Sequence, residues 1–124
     1  MVAPRSLARF NRHVTNRVLG TVAPRLPGFG VILHTGRKSG RPYRTPVNIF
    51  RTGDGWVVAL TYGPESDWVR NVLAGGGCDA VIRGRQVHLT APALVRDPHG
   101  VPVALRPILA ALGVHDFLRL SAAA

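Results

Sequence analysis

The densest chemistry in this chain lies in Gly36-Arg37-Lys38-Ser39-Gly40-Arg41, where three cations, a hydroxyl and two glycines fall within six residues. Glycine lets a backbone come close to a ligand and turn its N–H groups toward it. Arginine offers a bidentate fork and lysine a point charge, and both suit phosphate or carboxylate. The segment is not a nucleotide-binding P-loop. The first glycine of that pattern is missing, and an extended stretch follows where a helix is required. By spacing alone two readings stand: a site for a phosphate- or carboxylate-bearing ligand, and a solvated basic turn.

Elsewhere the means for acid–base or covalent chemistry are sparse. The chain has no local pair of carboxylates, no G-x-S-x-G and no H-E-x-x-H. His13, His34, His88, His99 and His115 are scattered without metal-ligand spacing and read as surface or structurally satisfied residues. Cys78 is the only cysteine, so no disulfide framework or thiolate cluster exists, and it reads as a small core residue. So few acid–base groups suit a reaction whose hard step belongs to a cofactor.

The elements that must position these residues are bounded by composition. A chain of 124 residues fits one domain, and 46% hydrophobic against 18% charged residues is enough to build a core. Sixteen Lys+Arg stand against six Asp+Glu, a formal charge of +10. Ten of those sixteen occur at or before Arg51, ahead of the first acid, Asp54, so the whole excess lies in the first 53 residues. An anionic partner is expected there: a phosphate-bearing ligand, a membrane face or a nucleic acid. Nucleic acid fits least. The two Trp, two Tyr and four Phe stand mostly apart from the arginines, and no helix-turn-helix or zinc finger is visible. No apolar run reaches the roughly 18 residues of a spanning helix, and arginines interrupt the N-terminus where a signal peptide would be apolar. The expectation is a cytoplasmic protein, with room for peripheral contact at a membrane.

Along the chain, residues 6–22 read as an amphipathic helix. Leu7, Phe10, Val14 and Val18 share one stripe, and Arg5, Arg9, Arg12 and Asn16 the other. Docking of that stripe on the core and contact with an anionic membrane are both open. Val31–Thr35, Tyr43–Arg51 and Trp56–Tyr62 read as strands, with Pro46 marking an edge or bulge and Thr52-Gly53-Asp54-Gly55 a hairpin turn. Ser66 is expected to cap a short helix that Gly75-Gly76-Gly77 ends. Cys78–Arg83 and Arg85–Val95 follow as strands around Gly84. Pro102–Leu112 reads as a last helix, with Leu105, Ile108, Leu109 and Leu112 on one stripe and Pro107 placed to kink it. Five or more hairpin-connected strands with helices around them predict a mainly β (α+β) fold, a small antiparallel barrel. The chain divides into a basic N-terminal helix (1–26), a barrel core with the basic loop (27–96) and a C-terminal helix and tail (97–124).

The run His34-Thr35-Gly36-Arg37-Lys38-Ser39-Gly40-Arg41-Pro42-Tyr43-Arg44-Thr45-Pro46-Val47 resembles the signature of the deazaflavin-dependent nitroreductases. These are also called F420H2-dependent quinone reductases and are found chiefly in actinobacteria. The strand end Leu60-Thr61-Tyr62-Gly63 and the segment Ser66-Asp67-Trp68-Val69-Arg70-Asn71-Val72 are similar too, and the likeness covers roughly residues 28–96. The resemblance implies a split β-barrel of the FMN-binding type. It implies coenzyme F420 as cofactor, with its phosphate and oligoglutamate tail along Arg37, Lys38, Ser39 and Gly40. Arg44 would be an extra tail contact. Pro46 would lie near the deazaflavin ring, and Ala59, Thr61 and Tyr62 would line it. FMN, with one short phosphate, would not call for three clustered cations.

By the same resemblance the reaction is hydride transfer from the reduced cofactor to a small hydrophobic acceptor such as a quinone, a nitro compound or an unsaturated lipid. Tyr62 and His115 are the candidate proton donors, with bulk water as the alternative. The nitroreductase branch closes several C-terminal tyrosines over its substrate, whereas Val114–Leu120 contains none. That departure points toward a lipophilic or fatty-acyl substrate, or toward a lipid- or fatty-acid-binding protein of the same fold with little redox activity. A homodimer is a further expectation.

Overall fold

Strand hairpins build most of this protein, and the structure, a computed structural model, describes residues 28–53 and 55–122. The basic helix expected over residues 6–22 lies outside the described residues. Strand β1 (Phe29–Thr35) turns through the basic loop into β2 (Pro42–Thr52), and β2 turns into β3 (Gly55–Ala59). Helix α1 (Asp67–Gly75) crosses to β4 (Gly77–Ile82), which pairs with β5 (Arg85–Val95). A 3-10 turn (Val103–Leu105) leads into α2 (Arg106–Ala111), and β6 (Phe117–Ala122) ends the fold. The strands close into a barrel in the order β1-β2-β3-β6-β5-β4, each neighbouring pair antiparallel. This is the antiparallel barrel that the strand pattern predicts.

Side-chain alternation divides the apolar residues between two layers. Ile32, Ile49, Val58, Ala80, Leu89 and Leu118 fill the inner cluster, joined by Trp68, Val69 and Val72 of α1. Their neighbours Phe50, Val57, Ala59 and Phe117 form a second cluster with Val101, Leu105, Leu109 and Val114 around the 3-10 turn and α2. Cys78 belongs to the inner cluster, and burial, with help from Asp79, pushes its thiol up to about 12. It is a core residue with no thiolate to offer.

Four local expectations change. Residues 117–122 form a strand where the sequence suggests a tail, so the barrel runs beyond residue 96. Phe117 and Leu118 are buried in different clusters, so both faces are covered at the start of the strand, and the alternation of Leu118-Arg119-Leu120 is too short to mark it. Strand β3 stops at Ala59 rather than Tyr62. The Thr61 N–H folds back onto the Ala59 carbonyl (3.0 Å), and that of Gly63, at φ 89°, onto Leu60 (3.0 Å). The last helix is two pieces, with Pro107 in the first turn of α2, where its missing N–H is harmless. Of its expected stripe, Leu105 and Leu109 are buried while Ile108 is exposed. Ser66 precedes α1 but caps nothing with its side chain; its hydroxyl donates back to the carbonyls of Tyr62 and Gly63, both at 3.0 Å.

The late strand is therefore central to stability. Leu118 is fully buried between its pairings to β3 and β5. Leu118→Ala is expected to cost about 2–5 kcal/mol in urea unfolding, the range for a truncated core leucine. A loss under about 1 kcal/mol would contradict this placement of β6.

Candidate functional site

Strand β2 is much longer than β3, and this mismatch makes the site. β3 pairs with β2 only over Asn48–Thr52, whereas β1 runs along β2 from Pro42 to Asn48. Among the described residues the first half of β2 therefore pairs with one strand, β1. Pro46 sits there, paired with Val31, where a missing N–H breaks no second ladder. The β2–β3 ladder ends at Asn48 and Ala59, after which the chain turns away through Thr61 and Gly63. On the other side of β3 the Leu60 N–H still reaches the Asp116 carbonyl (3.1 Å), one residue past the β3–β6 ladder. The end of β1 at Thr35, the start of β2 at Pro42, the end of β3 at Ala59 and the start of β6 at Phe117 face the same end of the barrel.

At that end a cleft of about 620 Å³ is bounded by the basic loop, β2 and α1, with Arg37, Lys38, Ser39, Arg44, Trp68 and Asn71 in its wall. The loop is closed internally. The Gly36 N–H donates to Arg41 (2.8 Å), that of Gly40 to Gly36 (2.9 Å), and that of Arg41 to the Ser39 hydroxyl (3.2 Å). Gly40 has φ 70°, a value that favours glycine, and a Cβ on Gly36 would stand 2.4 Å from Ser39 Oγ. Among the described residues this leaves the N–H groups of Lys38 and Ser39 free for a ligand.

The loop is tied to α1 by one amide. Asn71 Oδ1 accepts both the Arg37 backbone N–H (3.1 Å) and the Arg37 guanidinium (2.8 Å). The Asn71 amide nitrogen donates to His34 Nδ1 (3.1 Å). Nδ1 is then an acceptor, so the ring proton is on Nε2, which donates to Thr45 Oγ1 (2.9 Å). Tyr43 stacks on His34 with ring centres 5.6 Å apart and places its hydroxyl 3.4 Å from Ser39 Oγ. Burial lowers the His34 pKa, which agrees with a neutral ring. Arg37 also meets Asp67 at 3.5 Å, but that carboxylate is 85% exposed and the pair is worth less than about 1 kcal/mol. The buried Asn71 bonds are the stronger tie.

The cations of the loop therefore differ. Arg37 is engaged by Asn71 and Asp67. Lys38, Arg41 and Arg44 make no ion pair among the described residues and are exposed. Of the residues that sequence reasoning selects, Arg37, Lys38, Ser39 and Arg44 share the cleft wall, and Gly40 lies in the same loop. Pro46 is exposed, while Thr61 and Tyr62 are half-buried beyond the end of β3. Ala59 is the last residue of β3. Its methyl is buried in the outer core cluster, so only its backbone faces other partners. Sequence reasoning assigns no task to Asn71 or His34. The signal available was a polar residue on the buried stripe of α1, three residues after Trp68 and beside Val72.

The geometry defines a class, a six-stranded barrel of the flavin-binding type, split where β2 outruns β3. Residues 7–103 match the sequence profile of F420H(2)-dependent quinone reductase, and the chain belongs to that family. No protein of curated function matches it by sequence. Among solved structures it is similar to an F420-H2 dependent reductase, FDR-A (TM-score 0.60, 15% identity, covering 77% of this chain and 95% of that one). A second F420 reductase is similar at TM-score 0.57 and 14% identity, over 79% of this chain and 88% of the other. A protein described as a domain-swapped dimer is similar at TM-score 0.59 and 16% identity, over 91% and 98% of the two chains. The protein is thus an oxidoreductase of a family whose cofactor is coenzyme F420. The residues present fit that group: cations without carboxylate partners beside a cleft suit its anionic tail.

The neutral His34 has a thermodynamic signature. A histidine whose folded pKa lies below the unfolded value near 6.5 contributes stability that is present above that value and is lost as pH falls through the folded pKa. Thermal unfolding midpoints are expected to fall on acidification below 6.5. His34→Gln should flatten that dependence, and equal slopes for the two proteins would contradict the assignment of the neutral ring.

Proposed function

We propose that this protein transfers a hydride from reduced coenzyme F420 to a small, hydrophobic, electron-poor acceptor, with quinones as the first class to test and nitro compounds or unsaturated lipids after them. The cofactor, when bound, supplies the hydride. The chain supplies binding, orientation and exclusion of water. Lys38 and Arg44 are the principal contacts for the phosphate and oligoglutamate tail, aided by Ser39 and the backbone at Gly40, while Arg37 holds the loop in shape. Pro46, Ala59, Thr61 and Tyr62 would line the deazaflavin ring. Tyr62 and His115 are the candidate proton donors to the reduced acceptor, with bulk water as the alternative.

The observation that supports this most is the presence in the cleft wall of Lys38 and Arg44, two cations without an ion pair among the described residues. A lipid carrier would need an apolar cavity more than free charge. The absence of tyrosines from Val114–Leu120 favours a lipophilic acceptor over a bulky nitroaromatic one. The basic residues Arg5, Arg9, Arg12 and Arg17 are assigned to an anionic membrane surface on the cytoplasmic side, where such acceptors dissolve. No helix among the described residues is long and apolar enough to cross a membrane. A homodimer fits the similar protein described as a domain-swapped dimer.

Titration with oxidised F420 and with FMN, followed by Trp56 and Trp68 fluorescence, tests the binding. Saturable quenching by F420, tighter than by FMN, is expected. Lys38→Ala and Arg44→Ala should each weaken F420 binding about tenfold, since a charge-assisted contact is worth about 1.5–3 kcal/mol and exposure lowers that. Higher salt should weaken it further. No saturable binding of F420, or unchanged affinity in the double variant, would sink the reading. Turnover of a soluble quinone with F420H2 tests the reaction itself.

A further inference from the structure

The cleft contains one arrangement that the hydride-transfer reading leaves unused. Asn71 can hold Arg37 in only one of its two amide orientations. Its oxygen must face the two Arg37 N–H groups, which are both donors, so its NH2 must face His34. That orientation requires a lone pair on His34 Nδ1. A protonated ring would carry N–H on both nitrogens. It would confront the Asn71 NH2 with a donor, or force the amide to turn and confront Arg37 with one.

We propose that His34 and Asn71 are positioning residues for the anion loop, and that binding of a polyanionic ligand there requires the unprotonated His34 ring to lock the Asn71 amide onto Arg37. The inference rests on the F420 reading for its ligand and on the hydrogen-bond chain for its mechanism. Asn71 and His34 touch the loop, and neither needs to touch the cofactor. Thr45 completes the chain by accepting from Nε2. Tyr43 limits ring movement by stacking on it.

The surroundings of His34 favour the neutral ring. The basic loop contributes Arg37 and Lys38, and β2 contributes Arg44 and the Tyr43 phenol. Helix α1 contributes Asp67, which pairs with Arg37. Strand β4, paired with β1, contributes the buried thiol Cys78 and Asp79, the latter 2.7 Å from His88 Nδ1. Three cations against one engaged carboxylate on the cleft side disfavour another positive charge.

The sign of the effect separates this proposal from simple electrostatics. A protonated histidine adds positive charge beside the site and by itself would tighten an anion. Loss of the lock loosens the loop and weakens binding. The proposal therefore expects affinity for oxidised F420 to fall between about pH 8 and about pH 5, below the ordinary histidine range. His34→Gln keeps an acceptor for the Asn71 amide and a donor for Thr45 but cannot titrate. Its binding at about pH 8 should recover most of the wild-type affinity, and its loss on acidification should be at least about fivefold smaller than in the wild type. Taking the ratio of the two proteins at each pH cancels any titration of the ligand. Asn71→Leu, checked for folding by thermal melting, should bind about tenfold more weakly at both pH values.

A second arm uses the cofactor-free protein and stands apart from the F420 reading. In an NMR titration the Arg37 backbone amide should shift with the midpoint of the His34 ring in the wild type and stay fixed in His34→Gln. A parallel pH profile of binding in wild type and His34→Gln, or an Arg37 amide that ignores His34 titration, would overturn the proposal. No F420 binding at about pH 8 would overturn the cofactor reading and the ligand claim together, while the NMR arm still decides the lock.

Discussion

The constraint on which the structure depends is the unequal length of paired strands. β2 has eleven residues and β3 five, so among the described residues β3 covers one half of β2 and leaves the other half paired with β1 alone. Everything of chemical interest follows from that opening. The hairpin between β1 and β2 carries the basic loop at the open end. The chain leaving β3 turns sharply at Gly63 and returns as α1, which buries Trp68, Val69 and Val72 against the inner core and presents Asn71 to the loop. β6 closes the other side of β3 and starts at the same end. A barrel with matched strands would have no gap beside Pro46.

Within the site, polar contacts and free charges have separate tasks. The exposed ion pair from Arg37 to Asp67 contributes little. Two hydrogen bonds to a buried Asn71 oxygen contribute more, because breaking them strands buried donors and acceptors at about 1–3 kcal/mol. The loop is thus held by neutral groups in its floor, and Lys38 and Arg44 stay available at its surface. Preformed shape with uncommitted cations is a sound design for a polyanionic tail, since little ordering is left for the binding step.

Much of this was legible in the sequence. The basic loop stood out through three cations and two glycines within six residues, and the turn chemistry of Gly53, Gly63, Gly76 and Gly84 marks the strand and helix ends. The barrel followed from hairpin-connected strands. β6 was not legible, because Phe117 is buried on the face opposite Leu118 and Leu120, and Leu118-Arg119-Leu120 alternates over too few residues to carry a period. The length of β3 was hidden because Leu60-Thr61-Tyr62 has strand-like composition, yet the local hydrogen bonds from Thr61 to Ala59 and from Gly63 to Leu60 fold it into a turn. Asn71 and His34 escaped because their roles arise from contacts across 34 to 37 residues of chain, which local spacing does not reveal.

The central claim is that the open end of the barrel, with the basic loop as its anion clamp, is where coenzyme F420 binds. The most direct measurement is an amide chemical-shift map of the protein during titration with oxidised F420. The account predicts that Lys38, Ser39, Gly40, Arg44 and Thr61, with the Trp68 indole, shift together and saturate, while the β4–β5 turn at Arg83-Gly84, at the opposite end of the barrel, stays still. Shifts centred on that opposite turn or on α2, with the basic loop unmoved, would contradict it.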